Sequence, residues 1–339
     1  MRSWNKGDNC TTFKKNKKNM KKKNFIRAGR LPGMLLGAAF CTVLLLPTGC
    51  SNDSEISVSD SDGRVPLQVS GGINVLTRAH DAQWDKDDLI GIYMYAAGKT
   101  EIAENAANIP YKKTDTSDGF APVNNPIHFP IDGSNVDFHA WYPYNDVAGS
   151  VWTADLTDQT KQAALDLMVA DVKSSTLEGG TVYNKEQPTV RFNFEHRLTK
   201  LVLKITNGIG IKADDLKGLK VEITKQWKTA TYEPEFDAIG FVQELVPVTL
   251  LTNANGTSSE AILFPDDLTG KSLTTGRELV FTLQGSNEKF YWSVPDDKSF
   301  NSGEKNIYTI TINRTSLDVT STITDWTQGN GGGESGSAQ

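Results

Sequence analysis

Apolar and polar residues alternate with a period of two over most of this chain, the spacing of half-buried β-strands. Val65, Leu67 and Val69 alternate with polar neighbours, and Ile73 and Val75 follow beyond Gly71-Gly72. Residues 89–95 read Leu-Ile-Gly-Ile-Tyr-Met-Tyr, a buried type of strand behind an acidic turn at 85–88. Residues 127–130 and 136–144 flank Asp132-Gly133-Ser134, which predicts a hairpin. In the second of these, Val136, Phe138, Ala140, Tyr142 and Tyr144 share one face, with Asp137, His139 and Trp141 opposite. Val190, Phe192 and Phe194 alternate with Arg191 and Asn193, and Leu201, Leu203 and Ile205 repeat the pattern. Further strands are predicted over 219–223, 241–251, 261–264, 278–283, 289–294, 307–313 and 317–326. Gly, Pro, Asn and Asp punctuate them at intervals of about 10–20 residues, the rhythm of an all-β chain folded as β-sandwiches.

Helical spacing occurs only over 157–172, where Ala164, Leu167 and Met168 could equally run into a strand at 167–170. A break near Glu195 divides the exported part into domains at 65–195 and 196–327. Residues 328–339 are Gly, Ser and Glu for the most part, and this tail is expected to be disordered.

The N-terminal stretch follows a different logic. Residues 34–46 are apolar apart from Gly37 and Thr42, a basic segment precedes them, and Thr48-Gly49-Cys50 closes them. That is the layout of a secretory signal peptide over residues 1–49. The run is too short for a bilayer span, which needs ~20 residues. Met20 followed by Lys21-Lys22-Lys23 would start a leader of ordinary length, so 1–19 read as an over-long start. The end of the leader resembles a bacterial lipobox, with Pro47 where Leu is usual and Leu46 one position upstream. The resemblance implies a palmitate-type lipidation of Cys50 and an outer-membrane lipoprotein. Several acyl chains, at ~0.8 kcal/mol per buried CH2, anchor a protein stably. Residues 50–64 would then be a lipidated flexible tether.

Charge sharpens the division. Residues 1–49 carry eleven of the 35 basic residues and one of the 41 acidic ones. From Cys50 on there are 24 basic and 40 acidic residues, an excess that argues against nucleic acid as a partner. Cys10 and Cys41 lie in the leader, so Cys50 alone remains and no disulfide or cysteine metal site is expected.

An ordered set of local motifs then stands out. It comprises Thr77-Arg78-Ala79, the stretch 84–94 from Trp84-Asp85 to Tyr93-Met94, and Ile127-His128-Phe129-Pro130 with 136–144. It continues with Asp166-Leu167-Met168-Val169-Ala170, the stretch 192–201 around Glu195-His196-Arg197, and Ile323-Thr324-Asp325-Trp326. In this order they resemble the fimbrillin family, in its Mfa-like branch: lipoprotein subunits of type V pili and related surface proteins. The resemblance implies two tandem transthyretin-like β-sandwich domains. It also implies a structural and adhesive role at the cell surface, with other pilus subunits as strand donors or acceptors. A trypsin-like protease would cut between Arg78 and Ala79 and free the strand 65–76. The vacated groove would expose apolar floor and unpaired backbone, which a neighbour's strand would satisfy by β-augmentation. Stalk subunits of the family carry the donor strand at the C terminus, whereas here a Gly-rich tail follows Trp326.

No catalytic constellation accompanies these motifs. His80, His128, His139 and His196 are not at helical metal spacing. Asp85, Asp87 and Asp88 lack the Gly and the distant Glu of a calcium loop. Phosphate-loop, nucleophile-elbow and dinucleotide fingerprints are missing. No enzyme, cofactor or metal is therefore expected. The alternative function is a monomeric surface carbohydrate-binding lipoprotein, with Trp141, Tyr142, Tyr144 and Trp152 as its platform and a host protein or glycan as partner.

Overall fold

The structure, a computed structural model, describes residues 63–74, 83–146, 151–269, 275–325 and 333–338. The expected all-β architecture is what it shows; among the described residues the helical pieces are short, one α-helical turn, α1 (Gln162–Leu165), and a few 3-10 turns. Residues 1–62 fall outside the described part, and with them the leader and all but the last two residues of the tether.

Seven strands of the N-terminal half form a sheet that closes on itself. They are β1 (Gln68–Ile73), β2 (Leu89–Ala96), β3 (Ile109–Lys113), β4 (Gly119–Pro122), β5 (Val136–Tyr142), β7 (Met168–Val172) and β8 (Thr189–His196), in the order β1-β4-β3-β2-β5-β7-β8. The ring closes where β1 lies parallel to β8, from Gln68 opposite Thr189 to Ile73 opposite Phe194. Alternation on β8 is complete: Val190, Phe192 and Phe194 are buried and the residues between them, Arg191 and Asn193, are exposed. β5 is buried along its whole length because both its faces are covered. Val136, Phe138, Ala140 and Tyr142 enter the core of the closed sheet, and Trp141 points the other way. Gly91 on β2 leaves room for that indole: a Cβ there would meet Asn108 Oδ1 at 2.3 Å and Trp141 Nε1 at 2.4 Å.

The C-terminal half is a sandwich of two sheets. One runs β11-β10-β14-β15, made of β10 (Lys220–Glu233), β11 (Ala238–Thr249), β14 (Glu278–Thr282) and β15 (Lys289–Ser293). The other runs β12-β13-β9-β16-β17-β18. It contains β9 (Thr199–Asn207), β12 (Leu251–Thr252), β13 (Ser258–Leu263), β16 (Glu304–Asn313), β17 (Ser316–Asp325) and β18 (Gly333–Ala338). Their facing sides enclose one apolar core that includes Leu203, Val221, Phe281 and Ile310, all fully buried.

A third apolar cluster joins the halves. β6 (Trp152–Asp155) follows β5 in the chain yet pairs with the far end of β10, Trp152 opposite Tyr232. Trp141, Trp152, Leu167 and Leu198 pack there with Trp227, Tyr232 and Phe264. The buried Gln159 side chain mimics a strand partner: its Oε1 accepts from Ile262 N at 2.8 Å and its Nε2 donates to Ile262 O at 2.9 Å. Buried amide groups of a sheet edge need such partners.

Three expectations change, and the alternative left open over 157–172 is decided. Residues 127–130 do not form a hairpin with β5, although the turn forms, with Ser134 N donating to Asp132 Oδ1 at 2.9 Å. They run beside Val65–Leu67 instead, through Leu67 N to Ile127 O and Phe129 N to Val65 O. Pro126 and Pro130 have no N–H to give a ladder. The helical pattern over 157–172 is one turn followed by β7. The strand predicted over 219–223 extends to Glu233, since a bulge at Thr224 and Lys225, with Lys225 at φ +54°, shifts the alternation that marks it. The tail expected to be disordered carries β18, which lies antiparallel along β17 from Thr322 opposite Gly333 to Leu317 opposite Ala338. An edge strand held by backbone hydrogen bonds needs no apolar side chains of its own.

Candidate functional site

β1 is the piece on which an exchange would act. Its ladder to β8 is continuous, but it meets β4 only at Val69 opposite Phe120 and Ser70 opposite Gly119. Val69 is its buried apolar side chain, with Leu67 buried just ahead of it, and Ile73 is partly buried. Gly71 supplies a floor without a side chain, because a Cβ there would approach Phe120 at 3.0 Å and Phe194 at 3.3 Å. Trp84, beyond the undescribed residues 75–82, holds the strand from its inner side. Its Nε1 donates to Gly71 O at 2.9 Å, and its ring meets Phe120, Tyr142 and Phe194 edge-on at 5.0–5.4 Å. On the outer side, Arg191 of β8 reaches Asp118, the residue before β4, and so straps across β1. Gly72 lies under that guanidinium, whose Nη2 would be 2.7 Å from a Cβ at this position.

The acidic turn before β2 is a structural one. Asp85 N donates to Asp88 Oδ2 at 2.7 Å, and Tyr142 OH donates to Asp88 Oδ1 at 3.1 Å. Burial raises the Asp88 carboxyl above its ordinary pKa. Among the described residues no group of His, Cys, Asp and Glu could hold a metal ion.

Of the predicted site residues, Cys50, Arg78 and Ala79 lie outside the described part. The proposed sugar platform does not form: Trp141 is fully buried and donates from Nε1 to Asn108 Oδ1 at 2.9 Å, and Trp152 is 4% exposed. Both rings are needed in the core between the halves. Two histidines are pinned to carboxylates, His139 Nδ1 to Asp171 Oδ1 at 2.8 Å and His196 Nδ1 to Asp166 Oδ1 at 2.7 Å.

His139 belongs to a larger arrangement that alternation alone did not reveal. Its Nε2 lies 2.8 Å from Tyr232 OH, and Tyr232 OH donates to Asp237 Oδ1 at 2.9 Å. Arg197 pairs with the same oxygen at 3.4 Å. A polar chain Asp171–His139–Tyr232–Asp237–Arg197 thus crosses from β7 and β5 to β10 and the turn after it. The hydrogen bond from His139 keeps the Asp171 carboxyl below its ordinary value, and burial pushes the Tyr232 hydroxyl up. The only hint in the sequence was a His on the polar face of an aromatic strand.

Comparison with known proteins gives these features a context. The model of the fimbrillin-like family matches residues 77–326. A candidate fimbrium subunit of Bacteroides uniformis, Fim1C, is 36% identical over 312 residues, 90% of this chain and 98% of that protein. The crystal structure of a candidate cell adhesion protein from Bacteroides uniformis superposes with a TM-score of 0.66 at 34% identity, covering 78% of this chain and 100% of that one. A candidate cell adhesion protein from Bacteroides ovatus, at 22% identity, shares the fold with a TM-score of 0.60 over 79% of this chain and 99% of its own.

Proposed function

The chain belongs to the fimbrillin-like family, and on that footing we propose that it is a fimbrial subunit that accepts a neighbour's strand in place of β1. Membership carries with it a place at the cell surface and assembly with other pilus subunits. The exchange, the cut at Arg78–Ala79 and the acylation of Cys50 with its outer-membrane anchor are the finer parts of this proposal.

The seat of β1 is the observation that carries it. Removing that strand would open the ring between β4 and β8. The β8 edge would lose its partner from Thr189 to Phe194, and Phe120 and Phe194 would lose their cover. Unpaired backbone beside apolar floor is what a donated strand satisfies.

β17 supports an accepting role over a donating one. It pairs with β16 along its whole length, Asn313 opposite Ser316 to Glu304 opposite Asp325, and buries Leu317 and Val319. Donating it would unmake its own sheet. β18 has the sequence Gly-Glu-Ser-Gly-Ser-Ala, with no large apolar side chain to fill a groove.

The test is exchange of β1. The full chain is treated with limited trypsin and mixed with a fluorescent peptide of residues 64–76. Cleavage after Arg78, seen by mass spectrometry, followed by peptide uptake in the cut protein alone is the expected result. A chain resistant at Arg78, or one that is cut and takes up no peptide, would overturn the proposal. Cys50→Ser should move the protein from the membrane fraction to the soluble one if that cysteine carries the anchor.

A further inference from the structure

A cleft of about 530 Å³ opens where the polar chain reaches the surface between the closed sheet and the β10–β11 turn. Its size falls in the ~300–1,000 Å³ range of small-molecule sites. We propose that this cleft binds a neutral pyranose glycan. The inference does not depend on strand exchange; it takes up the adhesive side of the family assignment and gives it a site away from the Trp141 platform that the core has absorbed.

Three features carry it. The first is an exposed aromatic surface. Phe236, in the 3-10 turn Pro234–Phe236, is 71% exposed at the mouth of the cleft. Tyr95 lines the same cleft, stacked on Tyr93 with centroids 6.1 Å apart and fixed by its OH donating to Glu235 O at 3.1 Å. The CH face of a pyranose ring packs on such surfaces.

The second feature is a pair of carboxylates, each held by one oxygen and open at the other. Asp171 uses Oδ1 for His139, and Asp237 uses Oδ1 for Tyr232 and Arg197. The Oδ2 atoms of both make no hydrogen bond among the described residues. His139 and Tyr232 are 4% and 0% exposed, so the groups that orient the two acids are locked in the core. Asp237 caps the Pro234–Phe236 turn in the left-handed region at φ +46°, its N–H donating to Pro234 O, which fixes its backbone at the mouth of the cleft. Acceptors held in place before binding lower the entropic cost of recognition.

The third feature is the mixture of charge. Lys99 and Lys173 line the same cleft as these acids and make no ion pair with a described residue. With Glu235 and with Asp137, whose two oxygens accept from Gly98 N and Ser174 N, four acids face two lysines, so an anionic ligand would be repelled, and the two ammonium groups disfavour a cation. A neutral polyol suits both, because each hydroxyl can donate to a carboxylate and accept from a lysine.

The experiment uses the full, uncut chain in detergent, so that its outcome is separate from the exchange test. It is applied to an array of neutral, sialylated and sulfated oligosaccharides, and the hits are titrated calorimetrically. Binding to neutral hexose or N-acetylhexosamine ends is expected. Phe236→Ala should weaken it about tenfold with the melting temperature unchanged, since a stacked aromatic face is worth roughly one factor of ten. Lys173→Ala should weaken it by a smaller factor, and sialylated or sulfated glycans should bind less well than neutral ones. No binding to any neutral glycan, a preference for the anionic ones, or affinity indifferent to Phe236→Ala would each overturn the proposal.

Discussion

β1 and β9 hold the same position in the two halves of the molecule. Each is the first strand of its half, and each lies between a parallel partner and an antiparallel one: β8 and β4 for β1, β16 and β13 for β9. Their side chains differ. β9 drives Leu201, Leu203 and Ile205 into its core and adds a buried Thr199 that donates to Glu304 O at 3.1 Å. It is paired on both sides over most of its length. β1 buries Leu67 just ahead of it and Val69 within it, passes the core with Gly71-Gly72 and returns to it with the partly buried Ile73, and its ladder to β4 spans two positions, followed by Gly71 N donating to Asp118 O at 2.8 Å. Full burial of a Leu or Val side chain is worth about 1.5–3 kcal/mol, so β9, with three fully buried aliphatic side chains within the strand, is held more firmly than β1, which has one. Topology makes the slot, and side-chain content decides whether the strand in it can be replaced.

The sharpest way to break this contrast is to truncate both strands. Leu203→Ala in β9 should cost about 2–5 kcal/mol, the range for a buried leucine whose surroundings cannot collapse. Val69→Ala in β1 should cost only about 1–2 kcal/mol, since it removes two methyl groups at ~0.8 kcal/mol each. Urea denaturation of the two variants measures both, and equal losses would mean that β1 is as firmly built in as β9.

Gly71→Ala comes next. The added methyl must push against the Phe120 and Phe194 rings, an overpacking that costs about 1–3 kcal/mol and should fall on the seat of β1 alone. In the cut protein the variant should exchange its β1 peptide faster than wild type. A slower exchange would show that the rings yield and that the glycine is not what keeps the strand light.

Arg191→Ala should have the smallest effect. The pair with Asp118 is about half exposed on both sides, and exposed pairs contribute about 0–1 kcal/mol. The unfolding midpoint should hardly move, while peptide exchange quickens because the strap over β1 is gone. High salt should quicken wild-type exchange in the same direction.

Much of the fold was legible because its strands obey simple alternation. The β8 pattern of Val190, Phe192 and Phe194 and the two-faced pattern of β5 were read at their true registers. β3, β4 and β6 were not, being short strands whose neighbours carry Asn, Pro and Thr rather than a clean period. The second half of β10 escaped because two register shifts, after Ile223 and after Trp227, break its alternation. The motif residues near Trp84 could be placed in order, yet nothing local told that this indole would lie under Gly71. The cleft was invisible for a related reason: Tyr95, Asp171, Phe236 and Asp237 are separated by up to 142 positions, and each alone resembles an ordinary surface residue.

Alternation and turn residues were enough to determine most of the strands, their buried faces and the family motifs, since those depend on neighbours two to four residues apart. Which strand closes the first sheet, which one is lightly held, and that His139 would meet Tyr232 across the two halves were decided by tertiary structure. Strand partners are chosen by the free energy of a whole packed sheet and its satisfied backbone, a sum over distant residues that no local period contains.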